Sequence, residues 1–512
     1  MQIASFRESD NLPAKGPSPE RALLPHDITL PLVVDLDGTL IATDALHESL
    51  IFFLKRRGAE AWKVPYWIGA GRAIVKNRLA EVVTEEDVAS FPVNAGLVCF
   101  AEQEANRGRQ IVLATAADLA IAQKVQQRFP FISHVIASTD GLNLKGLAKA
   151  EEVMRQFPDG FIYAGDSSSD LHVWDRASAA IFVGRSTNME KKITTRTELA
   201  AVFPTKTLNF PSLRRGLRLH QWAKNALVFV PLILGGKAHD ATAWLHGLAG
   251  FTALSLLASA TYVLNDLWDL ADDRRHWSKR HRPLASGDLS IATGIGLIAG
   301  GGLLSLILAA LMGPGCVAIL AIYLVISLSY SFRLKREPII DVFILATLFS
   351  MRLALGVVVT DVVFSPWLFV FSMFLFLSLS SAKRQTEITR MVAHGHDETP
   401  GRGYRASDGP LVLALGVGAM MATVLIMVLY LVEDAFPLGG LFISLAPKPA
   451  TAYKHPQFLW GFPAIIFLWL ARIWLLCHRD ELHDDPVAFA LKDRVSLLYG
   501  AAMVGLFGAA LL

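Results

Sequence analysis

Charge is scarce in this chain of 512 residues: Asp, Glu, Lys and Arg make up 18% of it, against 53% hydrophobic residues. That balance excludes an ordinary soluble protein. Cysteine is scarcer still. Cys99, Cys316 and Cys477 show no pairing or metal spacing, so they are expected to be buried reduced thiols. A secretory leader is also missing from the start. The stretch MQIASFRESDNLPAKGPSPERALLP has no basic-then-apolar order and is rich in Pro and Ser, as a disordered lead-in would be. The N-terminal part is therefore expected to remain in the cytoplasm. The formal net charge of +3 says little by itself, and no nucleic-acid partner is expected.

What the chain has in abundance is long apolar runs, unevenly placed. Residues before about 210 alternate short apolar runs with polar turns; beyond about 222, apolar segments of roughly 18–25 residues recur, the length a bilayer core requires. Nine spans are expected, near 224–236, 241–264, 289–311, 314–330, 339–360, 364–381, 410–432, 459–477 and 495–512, the first being short. With the N-terminus inside, the four inner loops carry 16 Lys/Arg and the outer loops three, Lys237, Lys448 and Lys454. Such a bias orients a polytopic protein, here a multi-pass protein of the inner membrane with its charged loops and active sites on the cytoplasmic face.

One loop holds charge of both signs. NDLWDLADDRRHWSKRHRPLASG, residues 265–287, contains four aspartates and five Lys/Arg. On a helix continuing the second span, Asp266, Asp269 and Asp273, spaced i, i+3, i+7, share one face with Asn265 beside them. Carboxylates about 6 Å apart repel by about 3 kcal/mol at an effective dielectric near 20, so the cluster calls for a cation. Hard oxygen ligands suit Mg²⁺ bridging to phosphate oxygens. Arg274, Arg275, Lys279 and Arg282 follow at once and suit the remaining phosphate charge. A solvated basic loop would explain the cations but not the aspartate spacing.

Asn265-Asp266-x-x-Asp269-x-x-x-Asp273 resembles the first Asp-rich motif of the UbiA superfamily of intramembrane prenyltransferases, over about residues 215–512. The resemblance implies an all-α membrane domain of about nine helices whose motif binds Mg²⁺ and the donor diphosphate. The second Asp-rich motif of that superfamily has no counterpart here. SSAKRQTE stands in its place, with Lys383, Arg384 and Glu387, a basic site suited to an anionic acceptor. Six blocks resemble the branch of polyprenyl-phosphate (decaprenyl-phosphate) phosphoribosyltransferases: LRLHQWAKNALVF (217–229), DDRRHWSKRHRPLASG (272–287), YSFRLKREPIIDV (330–342), AKRQTE (382–387), RGYRASD (402–408) and DPVAFALKDRVSL (485–497). The branch implies phosphoribosyl diphosphate as donor and a polyprenyl phosphate in the bilayer as acceptor. Asp266 and Asp269 would then serve catalysis. Lys335, Arg352, Lys383, Arg384 and Arg405 are candidate phosphate ligands, with Lys224 at the first membrane entry. Arg352, inside a span, could equally be a structural pair with another helix, and Trp222 suits an interfacial anchor.

The N-terminal region alternates strands and helices, expected as a doubly wound parallel sheet: ITLPLVVDLD (28–37), QIVLATA (110–116), HVIAS (134–138), GFIYAGDSSSD (160–170) and AAIFVG (179–184). Polar clusters fall at the carboxyl ends of these strands. Asp35-x-Asp37-Gly38-Thr39, then Thr115, Lys149 (with Lys145 the alternative) and Gly165-Asp166-x-x-x-Asp170 resemble the four motifs of haloacid dehalogenase (HAD) phosphatases in order. The resemblance covers about 28–205. It implies Asp35 as nucleophile, Asp37 as general acid and base, and Thr115 and Lys149 on the phosphoryl group. Mg²⁺ would be held among Asp35, Asp37, Asp166 and Asp170, one such ion in each domain. Residues 44–100 are expected as a helical cap. Its Phe52, Phe53, Trp62, Tyr66 and Trp67 mix with basic residues, as an apolar cap core or as a face lying on the membrane.

The expected organisation is a lead-in over 1–27, the HAD-like domain over 28–205, a linker over 206–216 and the membrane transferase over 217–512. The fusion suggests a bifunctional enzyme of cell-envelope glycan synthesis, in which the phosphatase removes the 5-phosphate from the lipid-linked product. An aromatic prenyltransferase, or a transporter or scaffold with a regulatory N-terminal domain, are the rival readings. A homo-oligomer is left open.

Overall fold

The computed structural model describes residues 27–139, 143–205, 209–276, 279–395, 397, 402–432, 453–482, 486–490 and 492–512. The expected lead-in lies outside these residues apart from its last position. In chain order the first part forms β1 (Leu32–Val34), α1 (Ala45–Arg57), α2 (Lys63–Ala70), α3 (Arg72–Ala80), α4 (Glu85–Ala89) and α5 (Ala95–Asn106). It continues with β2 (Ile111–Asp118), α6 (Leu119–Arg128), β3 (His134–Ser138), α7 (Leu147–Gln156), β4 (Ile162–Gly165) and α8 (Leu171–Trp174). β5 (Ala179–Val183), α9 (Thr187–Thr194), β6 (Leu199–Phe203) and α10 (Phe210–Gly216) complete it. Then follow α11 (Val230–Leu234), α12 (Ala241–Trp268), α13 (Leu270–Arg275), α14 (Ile291–Met312), α15 (Pro314–Phe332), α16 (Ile340–Thr360) and α17 (Pro366–Ala393). α18 (Gly409–Tyr430), α19 (Gly461–His478), α20 (Pro486–Ala490) and α21 (Arg494–Leu511) end the chain.

The strands are short runs of Val, Ile, Leu and Ala because a parallel sheet is covered on both faces. Leu32 and Val34 of β1 enter one buried cluster and Val33 the other, as the two-residue period requires. All pairings are parallel, in the order β3-β2-β1-β4-β5-β6. The chain winds outward from β1 to β3, then crosses back to β4. The carboxyl ends of β1 and β4 therefore flank the point where the winding reverses, the place such sheets offer to ligands. β6 adds a sixth strand to the five expected, since Ala201, Val202 and Phe203 pair with β5. Cys99 is exposed, which corrects its expected burial; Cys316 and Cys477 are buried.

The segment between β1 and β2 is helical, with a core of Phe53, Val75, Leu79 and Val82 and Trp67 packed against it. Trp62 and Tyr66 stay outside, 72% and 76% exposed. The apolar core of the cap is thus formed by part of its aromatic set only.

Eight helices among the described residues are long and apolar enough to cross a membrane: α12, α14 to α17, the stretch ending in α18, the stretch ending in α19, and α21. The expected first span is not one regular α-helix. Leu219–Phe229 is a 3-10 segment followed by the five-residue α11, because Pro231 and the Gly235-Gly236 pair interrupt a longer helix. α14 leaves Leu303, Leu304, Leu306 and Leu311 exposed, an apolar surface suited to lipid.

Tertiary contacts divide the chain into two units: residues 1–217 with 262–297, and residues 218–261 with 298–512. The aspartate-bearing turn after α12 therefore folds as part of the unit that holds the parallel sheet.

Candidate functional sites

In the α/β unit, β1 delivers Asp35 and β4 delivers Asp166 at the reversal point. The oxygens of Asp35, Asp166 and Asp170 lie within 4.8 Å of one another, the one group of three metal-ligating side chains among the described residues. Lys149 of α7 donates to Asp35 Oδ1 at 2.8 Å and to the Tyr163 hydroxyl at 3.1 Å. The Tyr163 hydroxyl donates to Asp170 Oδ1 at 2.7 Å, while Ser167 N and Oγ donate to Asp170 Oδ2. Lys149 is buried, whereas Lys145 is exposed. Asp37 stands outside the carboxylate trio, its Oδ1 accepting from Ala45 N at 2.7 Å. Thr115 is fully buried, its Oγ1 accepting from Ala117 N. Gly38 has φ +71°, and a Cβ there would sit 2.2 Å from Asp166 Oδ2, so the turn after β1 requires glycine.

The electrostatics suit a bound cation. Burial, with Lys149 opposing it and Asp170 adding to it, pushes Asp35 up to about 6. Burial, then Asp44 and Asp35, push Asp37 up to about 7. Burial, then Asp35 and Asp170, push Asp166 up to about 8. Lys149 is raised despite its burial, by Asp35 and Asp170. Three hard carboxylates that repel one another at the end of a sheet fit Mg²⁺. Thr39 Oγ1, buried and without a hydrogen-bond partner, leaves one more polar atom at this turn.

The aspartate stretch is arranged differently. α12 ends at Trp268 and α13 starts at Leu270, yet Asp269 N bonds Asn265 O and Asp273 N bonds Asp269 O, so the helical path continues through the break. Arg282 bridges two of the carboxylates, 3.0 Å from Asp266 and 2.6 Å from Asp273. A guanidinium thus stands between these carboxylates, and the three expected aspartates do not converge on one point as the first trio does. Burial raises the Asp273 carboxyl against the pull of Arg282. Asn265 donates to Asp269 at 3.3 Å. Arg275 and Lys279 are exposed. Arg274, expected among the phosphate ligands, is instead paired with Glu48 of α1, 2.6 Å away and buried. Nothing in the local sequence announces Glu48 as its partner, 226 residues earlier.

In the second unit, Arg384 is also committed. Its Nε lies 2.7 Å from Asp341 Oδ2 without hydrogen-bond alignment, and it pairs with Glu387 one turn on. Tyr404 donates to Asp341 at 2.5 Å, and Arg402 approaches both Asp341 and Glu387. Asp341, Arg402 and Tyr404 were not among the expected site residues, although all three fall inside the resembling blocks. Arg352 is buried with neutral partners: Nε donates to Asn225 at 2.9 Å, and Tyr323 and the Leu348 carbonyl complete its shell. Lys224 and Arg352 both lie over the ring of Phe349, 5.7 and 5.0 Å from its centre. Trp222 donates to Ser259 at 2.9 Å. Lys335 and Lys383 are half-buried, and Arg405 is exposed at the start of the turn before α18.

A bundle of apolar helices carrying buried ionic groups and an aspartate-rich turn defines a polytopic membrane protein. Residues 226–492 match the UbiA prenyltransferase family, and the chain belongs to it as a membrane transferase. It is 38% identical over 494 residues to the uncharacterized protein y4nM of Sinorhizobium fredii, covering 94% of this chain and 91% of that one. It is 30% identical over 313 residues to the decaprenyl-phosphate phosphoribosyltransferase of Mycolicibacterium smegmatis, covering 60% and 94%. A UbiA homologue from Archaeoglobus fulgidus, solved bound to GPP and Mg²⁺, aligns with a TM-score of 0.42 and 16% identity over 58% of this chain and 99% of that one.

Proposed function

We propose that the membrane domain, residues 217–512, transfers 5-phosphoribose from phosphoribosyl diphosphate to a polyprenyl phosphate. An N-terminal HAD-type phosphatase domain, residues 28–205, then removes the 5-phosphate from the lipid-linked product. The observation that carries the reading is the Asp35–Lys149–Asp166–Asp170 constellation, in one chain with a UbiA-family domain similar to decaprenyl-phosphate phosphoribosyltransferases.

In the transfer, the bond from ribose C1 to the diphosphate breaks and a bond from C1 to an acceptor phosphate oxygen forms. Asp266 and Asp269, supported by Asn265 and Asp273, would hold Mg²⁺ with the diphosphate, and the ion would supply neutralisation of the departing anion. Arg282 is free to exchange its carboxylate partners for diphosphate oxygens, with Arg275 and Lys279 beside it. Lys335, Lys383 and Arg405 answer the remaining phosphate charge. Arg352 and Lys224 offer two cations on one aromatic ring. Arg384 and Glu387 act chiefly by shaping the basic site, since Asp341 holds Arg384.

In the hydrolysis, an Asp35 oxygen attacks phosphorus and the ribose oxygen leaves, taking a proton from Asp37. Asp37 then removes a proton from water, which attacks the aspartyl phosphate and releases inorganic phosphate. A carboxyl near 7 can serve in both directions. Thr115 and Lys149 hold the phosphoryl oxygens. Asp35, Asp166 and Asp170 would hold Mg²⁺, which would supply charge neutralisation. Both sites are assigned to the cytoplasmic face.

The test supplies labelled phosphoribosyl diphosphate and polyprenyl phosphate to the full chain in proteoliposomes, with Asp35→Asn beside wild type. Wild type should yield polyprenyl-phosphoryl-ribose, and the variant should accumulate its 5-phosphorylated precursor. Turnover of a prenyl diphosphate with a phenolic acceptor, and none with phosphoribosyl diphosphate, would overturn the assignment.

A further inference from the structure

The turn that carries the aspartates is held by the sheet-bearing unit rather than only by the helix it follows. Arg274 reaches Glu48 with both terminal nitrogens, 2.6 Å to Oε1 and 3.1 Å to Oε2, and both side chains are buried. Thr43 donates to the same Glu48 Oε1 at 2.8 Å. Lys55, two turns further along α1, pairs with Asp272 at 3.0 Å. Ala271 packs against the larger buried cluster of the sheet. At the far end of the turn, a Cβ on Gly287 would lie 3.3 Å from the Ala42 carbonyl oxygen, and Gly287 has φ +77°.

These contacts surround the candidate diphosphate ligands. Arg274 follows Asp273 directly, and Asp273 is tied through Arg282 to Asp266. Glu48 is also the anion that makes the seat of Arg274 tolerable. Arg128, burdened mainly by burial and then by the charge of Arg274, lies near it and donates to the Val88 and Phe91 carbonyls. Without Glu48, the buried Arg274 guanidinium would lose its carboxylate partner and keep the repulsion of Arg128, and the turn would shift. A displacement of about 1 Å in Asp273 is enough to spoil a chelating geometry.

We propose that Glu48 is a positioning residue for the diphosphate site: through Arg274 it fixes the turn bearing Asp266, Asp269 and Asp273, so the sheet-bearing unit is a structural part of the transferase. This rests on the reading of those aspartates as diphosphate ligands. It goes beyond tethering of two activities, because it makes the transfer depend on α1 even when nothing is hydrolysed.

The test is calorimetric binding of inorganic pyrophosphate with Mg²⁺ to the full chain in detergent. Wild type, Glu48→Ala, Glu48→Asp and Glu60→Ala are compared, the last removing an exposed pair with Lys63 on the same unit. Glu48→Ala should weaken binding by about tenfold, as loss of a supporting ligand typically does. Glu48→Asp should recover part of that loss, and Glu60→Ala should change nothing. Hydrolysis of a soluble phosphate monoester by Glu48→Ala should stay close to wild type, which shows the unit still folded. Unchanged pyrophosphate binding in Glu48→Ala, or a parallel collapse of monoester hydrolysis, overturns the proposal. Failure of wild type to bind pyrophosphate with Mg²⁺ at all, or insensitivity of that binding to Asp266→Asn, removes the underlying reading instead.

Discussion

Asp166 carries the clearest pH signature in the molecule. Its carboxyl rises from 3.8 to about 8 in the fold, first by burial and then by Asp35 and Asp170. A carboxyl raised in this way keeps its proton in the folded state at pH values where the unfolded chain has lost it. The folded state then binds more protons, so stability falls as pH rises from about 4 to about 8. A divalent cation replaces the proton and removes the dependence. Chelator-treated protein is therefore expected to melt at lower temperature at pH 8 than at pH 6, followed by calorimetry, with Mg²⁺ narrowing the gap and Asp166→Asn flattening it. Equal melting temperatures at both pH values in the chelator would contradict the clustering of the three carboxylates. Asp35, Asp37, Lys149, Asp166 and Asp170 were legible beforehand because each sits next to a strand or helix whose own pattern places it. Tyr163 was not, since it looks like one more apolar strand residue until its hydroxyl meets Asp170 and Lys149. Glu48 and Asp341 were hidden for another reason: their partners Arg274 and Arg384 are distant in sequence, and no local periodicity encodes such a pairing.

Among the elements, close approach in the membrane unit depends on particular glycines. A Cβ on Gly356 of α16 would lie 2.2 Å from the Val228 carbonyl oxygen, a backbone atom that cannot rotate away. On Gly416 of α18 it would lie 2.2 Å from the ring of Trp474. Small residues at such contacts let apolar helices pack where no hydrophobic force between them operates. Gly356→Ala is expected to destabilise the protein by about 1–3 kcal/mol, an overpacking cost. Gly302→Ala, on a face of α14 with nothing within 4 Å of the added atom, should cause no loss. Thermal unfolding in detergent compares the two; equal effects would show that the approach of α16 to the 219–229 segment is not tight. Hydropathy identified the long helices, since length and apolarity are local properties. It missed the conformation of residues 224–236, where Pro231 and two glycines break the helix although the segment is as apolar as one. Sequence pattern also left β6 out of the sheet, because a five-residue apolar run followed by Pro has no flanking signal that it pairs.

At the scale of the molecule, the short segment becomes a question of topology. Nine expected spans against eight long helices among the described residues leave one more crossing to be made before the loop that follows α12. α12 can make one crossing. The other falls to Leu219–Leu234, in which 11 residues are 3-10 and five are α. At rises of about 2.0 and 1.5 Å per residue these span about 30 Å, close to the thickness of a hydrocarbon core. With that first crossing, every loop rich in Lys and Arg would lie on one face of the membrane, as 16 cations against three require. In a background lacking Cys99, Cys316 and Cys477, Arg336→Cys and Glu481→Cys should react with a membrane-impermeant maleimide from the same side as Arg155→Cys. His239→Cys and Val363→Cys should react only from the other side. If His239→Cys labels together with Arg336→Cys, the 3-10 segment does not cross the bilayer, and the short first span fails as a membrane element.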